Sequence, residues 1–216
     1  KGTKMSAVSP QDKDIRALSL ARVFLFGARD TWFVVGIPVF FYGVLSDGTT
    51  EGNRQAFFLI GSFMAVWIIL YGAIQAYAPK LLRSQTGTLP DTVATTRVWV
   101  GLLTLVPLAL ATAAYVILPG LTAIVVVGLL AFGAIFALNS ALHSYLILEF
   151  SKSERVTLDV GFYYMSNAAG RLIGTLLSGL SYQLGGVVGC LGVAAAMAAA
   201  SWLAARRLES RHPQPA

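Results

Sequence analysis

Residues 121–150 read LTAIVVVGLLAFGAIFALNSALHSYLILEF, an apolar stretch with a single formally charged residue, Glu149. A helix crosses a bilayer with about 20 predominantly apolar residues, so this stretch is long enough to span a membrane. The rest of the chain is similar, because 56% of its 216 residues are hydrophobic and only 12% are charged. Soluble domains average about 25% charged residues. The sequence therefore predicts an all-α, polytopic membrane protein and excludes disordered, collagen-like and disulfide-rich classes.

Six apolar segments of this kind follow one another, separated by polar or glycine-containing turns. They are Ala17–Leu45, Gln55–Ala78, Val98–Leu118, Leu121–Phe150, Val160–Gln183 and Val187–Ala205. The predicted organisation is a cytoplasmic leader at residues 1–16, a six-helix transmembrane bundle at residues 17–205 and a cytoplasmic tail at residues 206–216. Gly185 and Gly186 predict a tight turn before the last segment.

The basic residues predict the orientation in the membrane. Twelve of the 16 fall on one side of the predicted bundle: Lys1, Lys4, Lys13, Arg16, Lys80, Arg83, Arg97, Lys152, Arg155, Arg206, Arg207 and Arg211. The opposite side has only Arg54. Because cytoplasmic loops are enriched in Lys and Arg, both termini are expected in the cytoplasm. The net charge of +6 is accordingly attributed to these loops, and no nucleic-acid partner is expected.

The six segments also show a weak internal period. The first and fourth are long and carry polar groups, the second and fifth carry small residues with some polar ones, and the third and sixth carry no charge. Two three-helix copies would have opposite orientations in the membrane, which is typical of transporters. The alternative is a chance similarity within a six-helix protein.

Charged and polar side chains fall well inside three of the predicted helices. At 1.5 Å rise per residue, Arg29 and Asp30 lie roughly 18–20 Å from the helix end, and Arg171 and Asn139 about 17 Å. An ionised side chain in hydrocarbon costs about 2.5–3.5 kcal/mol on insertion scales. Such residues usually face a cavity or a partner, so this layer predicts a site for an anion or for an internal counter-charge.

The roles of the charged residues in this layer can be ranked from their chemistry. The fork of donors on arginine suits phosphate-like oxyanions, so anion recognition is favoured over a structural ion pair for Arg29 and Arg171. Asp30 is interpreted as a counter-ion, with proton coupling as the alternative. Adjacent helical residues point about 100° apart, so Asp30 could pair with Arg171 instead of Arg29.

One predicted helix carries both a polar stripe and a packing face. Tyr163, Asn167 and Arg171 recur every four residues and share a face, which makes the first two candidates for hydrogen bonding to a ligand. Gly170 and Gly174 form a G-x-x-x-G pattern, which is interpreted as close helix packing.

Three further polar residues are candidates with competing interpretations. Arg22 lies about 8 Å from the predicted helix end and can snorkel to the surface, with ligand contact as the alternative. Asn139 and His143 share a face; His143 is interpreted as hydrogen-bonded structure, with proton transfer as the alternative. No catalytic motif or metal-ligand cluster occurs, so no enzymatic activity, cofactor or metal is expected.

Two long stretches resemble a known family. LSLARVFLFGARDTWFVVGIPVFF (Leu18–Phe41) resembles the seventh transmembrane helix of ArsJ-type organoarsenical efflux permeases, which are members of the major facilitator superfamily. LEFSKSERVTLDVGFYYMSNAAGRLIGTLLSGLSYQLGG (Leu148–Gly186) resembles the region around their eleventh helix.

This resemblance implies the C-terminal half of a twelve-helix transporter in a bacterial inner membrane, with the N-terminal six-helix half as its partner. In that fold the first, second, fourth and fifth helices of a half line the cavity. The implied function is efflux of 1-arseno-3-phosphoglycerate, which confers arsenate resistance. Two alternatives remain open: a transporter of another organic anion, such as a sugar phosphate or drug, and a non-transporting membrane subunit.

Overall fold

The computed structural model describes residues 10, 12–152 and 154–209, and within them the protein is helical and contains no strand. Most of the predicted leader and tail, with Lys1, Lys4 and Arg211, lies outside the described residues. Five of the described helices are long and apolar enough to cross a membrane: α1 (Lys13–Leu45), α2 (Thr50–Leu81), α3 (Leu89–Tyr115), α4 (Leu121–Phe150) and α5 (Val156–Ala205). The all-α class is confirmed, and these helices indicate a multi-pass membrane protein.

Helix α1 begins at Lys13, within the predicted leader, instead of at Ala17. Asp12 provides the reason, because its carboxylate accepts a hydrogen bond of 2.7 Å from the backbone N–H of Asp14. This capping satisfies one of the free N–H groups of the first turn. Hydropathy alone excludes this polar turn from the helix, so the prediction of the helix start was wrong.

A π-helical turn, Trp32–Gly36, interrupts α1. Pro38 follows it and lacks the N–H that would continue the helical ladder. The backbone N–H groups of Val35 and Gly36 both donate to the hydroxyl of Ser178, each at 3.1 Å. A side chain of α5 therefore provides a further acceptor for backbone N–H groups at this irregular turn.

Helix α2 begins after Thr49, whose hydroxyl accepts a 3.0 Å hydrogen bond from the N–H of Gly52. It packs mainly against α4. Trp67 is the main anchor, because its indole N–H donates to the carbonyl oxygen of Leu129 at 2.8 Å and its ring lies against Gly133.

Helix α3 begins at Leu89, well before the predicted start at Val98. The hydroxyl of Thr88 caps it by accepting from the N–H of Asp91 at 3.3 Å. The polar residues of the first turns do not end the helix, because hydroxyls such as that of Thr96 donate to the carbonyl oxygen four residues earlier, here at 2.8 Å. The prediction placed this turn in a loop because it counted polarity and overlooked the cap.

Helix α5 is broken by two glycines. Gly185 (φ −148°, ψ 17°) and Gly186 (φ 58°, ψ −148°) both leave the helical region. The positive φ of Gly186 is readily adopted only by glycine. We name residues 156–184 the first arm of α5 and residues 187–205 the second arm.

The two arms lie side by side. The hydroxyl of Ser181 lies 3.3 Å from the sulfur of Cys190, and that thiol donates to the carbonyl oxygen of Ser178 at 3.4 Å. A straight helix would separate residues 181 and 190 by about 13 Å. The chain therefore reverses its direction at Gly185 and Gly186, where the sequence predicts a turn.

The second arm of α5 packs against α3. The Nε of Arg97 donates to the carbonyl oxygen of Ala205 at 3.3 Å, and its Nη2 donates to the carbonyl oxygen of Leu208. Further along, Gly101 lies against the indole of Trp202. Arg97 thus connects α3 to the C-terminal end of the second arm.

The first arm of α5 packs on α1 with almost no space between the backbones. A Cβ atom at Gly170 would lie 2.2 Å from the carbonyl oxygen of Val23, and one at Gly174 would lie 2.6 Å from that of Gly27. The predicted packing role of these two glycines is confirmed. The close approach brings the charged residues of α1 beside those of α5.

Candidate anion-binding site

Asp30, whose side chain is 2% exposed, is the centre of a charge cluster between α1 and the first arm of α5. Its Oδ1 accepts from Arg29, with Nε at 2.6 Å and Nη2 at 2.5 Å. Its Oδ2 accepts from the Nε of Arg171 at 3.1 Å. Both partners considered for Asp30 from the sequence are therefore engaged at once. One carboxylate is shared by two guanidinium groups, so the cluster carries a net formal charge of +1.

The two arginines differ in their surroundings. The Cζ atom of Arg29 lies within 5.1–5.9 Å of the ring centroids of Phe26, Phe33 and Phe136, and its side chain is 13% exposed. The side chain of Arg171 is 58% exposed. Arg171 is therefore the more accessible cation, whereas aromatic faces hold Arg29 in place through cation–π attraction.

Arg22 does not snorkel to a helix end, so that prediction was wrong. Because α1 starts at Lys13, Arg22 lies about 13 Å along the helix, and it is 4% exposed. Its Nη1 donates to the hydroxyl and the carbonyl oxygen of Ser140 at 3.2 and 3.3 Å. Its Cζ lies 4.1 Å from the ring centroid of Phe26 and 4.8 Å from that of Tyr163. These contacts replace the water that a snorkelling side chain would seek.

Phe26 links the two arginine environments. Its ring centroid lies 4.1 Å from the Cζ of Arg22 and 5.1 Å from the Cζ of Arg29. The two guanidinium carbons are therefore at most about 9 Å apart. Phe26 was not among the predicted site residues, although its spacing of four and three residues from the arginines places all three on one helical face.

Several of the remaining predicted site residues have buried polar atoms without a partner. Within the described part of the chain, no hydrogen-bond partner is found for Asn139 Oδ1, for either ring nitrogen of His143 or for Asn167 Oδ1. The amide nitrogen of Asn139 donates to the carbonyl oxygen of Ile135 on its own helix at 3.0 Å. For His143, the interpretation as a hydrogen-bonded structural residue stays a prediction, as does proton transfer.

The predicted stripe on α5 does not face one environment. Tyr163 is buried, Asn167 is half-buried and Arg171 is exposed. Each step of four residues rotates the direction of the side chain by about 40°, so two steps carry the stripe from the interior to the edge of the bundle. Only Arg171 of this stripe reaches Asp30.

Two polar residues missed by the sequence analysis support Arg22. Ser140 accepts its hydrogen bonds, and Gln75 of α2 reaches the same hydroxyl at 3.5 Å. Gln75 had a detectable signal, because it is a polar residue inside an apolar segment. Ser140 did not stand out, because a serine in a membrane helix often bonds only to its own backbone.

Within the described residues, no group of three His, Cys, Asp or Glu side chains is placed to hold a metal ion. The fold and the cluster define a multi-pass helical membrane protein with arginines gathered around one buried carboxylate. Comparison with protein-family models, curated proteins and solved structures gave no match. The function is therefore argued from the site.

Proposed function

We propose that this chain is half of a membrane transporter that exports a small, multiply charged organic anion. The observation that carries the proposal is the sharing of Asp30 by Arg29 and Arg171. Burying a charge in hydrocarbon is costly, and ionisable residues inside spans usually mark substrate or ion pathways. A purely structural bridge needs one arginine, so the second leaves a net positive charge that favours an anionic ligand.

The unequal exposure of the two arginines supports a sequence of steps. An incoming oxyanion meets Arg171 first, because this side chain is accessible and uses only its Nε on Asp30. The ligand then competes with Asp30 for the guanidinium groups, which offer forked donors to oxyanions. We assign to Asp30 the uptake of a proton when the ligand takes its place, which makes it the coupling residue. Ligand binding shifts the equilibrium between two transporter conformations only by the difference in its affinity for them.

The helix pairing supports a six-span half built from inverted repeats. If the two arms of α5 are separate spans, the first span packs against the fifth and the second against the fourth. If spans one, two and three are exchanged for spans four, five and six, the pair formed by the first and fifth spans becomes the pair formed by the fourth and second. The third and sixth spans pack against each other and form a pair that this exchange leaves unchanged. Such internal symmetry is typical of secondary transporters.

The resemblance noted in the sequence identifies the ligand that we propose, 1-arseno-3-phosphoglycerate. Its phosphate and arsenate groups are both oxyanions of the kind that arginine binds through paired hydrogen bonds. We further propose that the protein lies in a bacterial inner membrane with both termini in the cytoplasm, as the distribution of Lys and Arg indicates.

Uptake into everted membrane vesicles tests this proposal. The complete twelve-helix transporter is compared with its Arg29→Ala and Arg171→Ala variants, and Arg54→Ala serves as the control because Arg54 is exposed and distant in sequence from the cluster. Uptake of the arsenical is expected to fall at least tenfold in the first two variants and to stay unchanged in the control. Normal uptake by both site variants would reject the site, and inhibition by an added sugar phosphate would show a broader anion specificity.

A further inference from the structure

Arg22 differs from the two other arginines inside the spans because no carboxylate accompanies it. Within the described residues both salt bridges are made by Asp30, to Arg29 and to Arg171. Arg22 is 4% exposed and relies on Ser140 and on two aromatic rings. Cation–π contacts and neutral hydrogen bonds offset only part of the cost of burying a charge.

Arg22 and His143 hold buried polar atoms that lack a partner. Among the described residues, no hydrogen-bond partner is found for the Nε of Arg22 or for either ring nitrogen of His143. Tyr163 lies under the guanidinium group, and His143 lies on the same helix three residues after Ser140, which accepts from Arg22. A buried polar group without a partner is costly, so this environment is suited to a ligand that accepts several hydrogen bonds.

We propose that Arg22, Tyr163 and His143 form a second anion site, which takes a single tetrahedral oxyanion group of the phosphate class. An oxyanion compensates the charge of Arg22 and accepts from the guanidinium Nε, the tyrosine hydroxyl and the imidazole N–H. The site is separate from the Asp30 cluster, because Arg22 donates to Ser140 whereas Asp30 pairs with Arg29 and Arg171.

The position of Arg22 defines when the second site is open. Its side chain contacts Ser140 of α4 and Tyr163 of the first arm of α5, so it lies at the seam between these two helices. Arg22 and His143 are almost completely buried, so the proposed site accepts an anion only in another arrangement of these helices. Separation of α4 from the first arm admits the anion and hydrates the unsatisfied groups.

The second site adds a step to the proposed transport. The guanidinium carbons of Arg22 and Arg29 lie at most about 9 Å apart, because both lie close to the ring of Phe26. An anion held at Arg22 is therefore one short displacement from the Asp30 cluster. This step rests on the proposed function, because it places both sites on one anion route.

Equilibrium dialysis with radiolabelled inorganic phosphate tests the inference on the purified 216-residue chain in detergent, at constant ionic strength set by chloride. The wild-type chain is expected to bind two phosphates, one at each site. Arg22→Gln and Arg171→Gln are each expected to remove one of them, and the exposed control Arg83→Gln is expected to remove none. Two phosphates bound by Arg22→Gln would overturn the inference.

The two arginine variants also separate this inference from the proposed function. Loss of phosphate only in Arg171→Gln would overturn the second site and leave the Asp30 cluster in place. Loss only in Arg22→Gln would support the second site and count against anion binding at Asp30.

A further variant keeps the test decisive if Arg22→Gln fails to fold. Tyr163→Phe preserves the aromatic ring under Arg22 and removes only the hydroxyl. The loss of one hydrogen bond to a charged group is expected to raise the dissociation constant of this site about tenfold. Helical circular dichroism verifies that the variant is folded, and an unchanged dissociation constant would overturn the inference.

Discussion

The Oδ2 atom of Asp30 lies 3.1 Å from the Nε of Arg171, across 141 residues of sequence. The carboxylate is buried and the arginine is largely exposed, so the two ends of this bridge are not equivalent. Asp30 is fixed by α1 and by Arg29, whereas Arg171 is free to turn toward another anion. The carboxylate of Asp30 therefore neutralises part of the positive charge of the two arginines until a ligand replaces it.

Replacing Asp30 should destabilise the fold more than replacing either of its partners. Asp30→Asn leaves two guanidinium groups without their counter-charge, and breaking a buried pair costs about 3–5 kcal/mol. Arg171→Gln removes a largely exposed partner and is expected to cost less than about 1 kcal/mol. Unfolding in detergent, followed by helical circular dichroism, should rank Asp30→Asn below Arg171→Gln. Equal stability of the two variants would show that Asp30 contributes no more to the free energy of unfolding than an exposed ion pair does.

A methyl group at Gly170 should disrupt the contact between α1 and α5. Gly170→Ala places a Cβ 2.2 Å from the backbone oxygen of Val23, and overpacking of this kind costs about 1–3 kcal/mol. Gly179→Ala is the matched control on the same arm, because nothing lies within 4 Å of its Cβ position. The control should be neutral or stabilised by up to about 1 kcal/mol through helix propensity. Thermal unfolding of both variants checks this, and the prediction fails if Gly170→Ala unfolds at the wild-type temperature.

Removing the hydroxyl of Ser178 should loosen the π-helical turn of α1. Ser178→Ala leaves the N–H groups of Val35 and Gly36 without the acceptor that they share, at a cost of about 1–3 kcal/mol. Ser166→Ala is the control, because that hydroxyl bonds only to a carbonyl oxygen of its own helix. Amide hydrogen exchange at Val35 and Gly36 should accelerate in Ser178→Ala alone. Unchanged protection there would mean that the turn does not depend on α5.

Asp47, in the turn between α1 and α2, should titrate below the usual range for aspartate. Hydrogen bonds from the hydroxyl and the backbone N–H of Thr49 lower the pKa of its carboxyl group. The pKa is depressed in the folded state, so the stabilisation is present above the ordinary pKa and is lost as the pH falls through the depressed one.

The hydroxyl of Thr49 makes the largest contribution to this shift. Thr49→Val should therefore raise the pKa of Asp47 toward its ordinary value, whereas Thr49→Ser should preserve the depression. Titration of the carboxyl carbon by NMR measures both variants. A pKa that stays low in Thr49→Val would assign the shift to the backbone instead.

The sequence was most informative where one physical signal dominated. Long apolar runs marked the helices, Gly185 and Gly186 marked the chain reversal, and the spacing of Gly170 and Gly174 marked a packing face. The start of α3 was missed because a capping threonine and the hydrogen bonds of its first turn outweigh local polarity. A hydropathy scale measures the free energy of transferring a side chain out of water. It does not include the hydrogen bonds that a capping side chain makes to the backbone N–H groups at a helix start.

The candidate site was predictable only in part. The pairing of Asp30 with Arg171 follows from their matching depths, and the structure contains it. The simultaneous pairing with Arg29 was not expected, because adjacent helical residues point about 100° apart. The arginine side chain is long enough for its guanidinium group to reach the carboxylate of Asp30 in spite of this rotation. The burial of Arg22 depends on Ser140 and Tyr163, which come from helices distant in sequence.

Anion binding to Asp30→Asn tests the central claim most directly. If Asp30 occupies the arginine site in place of a ligand, removing its charge should lower the dissociation constant for 3-phosphoglycerate, a stable phosphate-bearing anion, by about tenfold. The same variant of the complete transporter should no longer transport. Arg171→Gln should weaken binding, and Arg54→Gln should leave it unchanged. Equal or weaker binding by a folded Asp30→Asn protein would contradict the claim that the two arginines serve an anion.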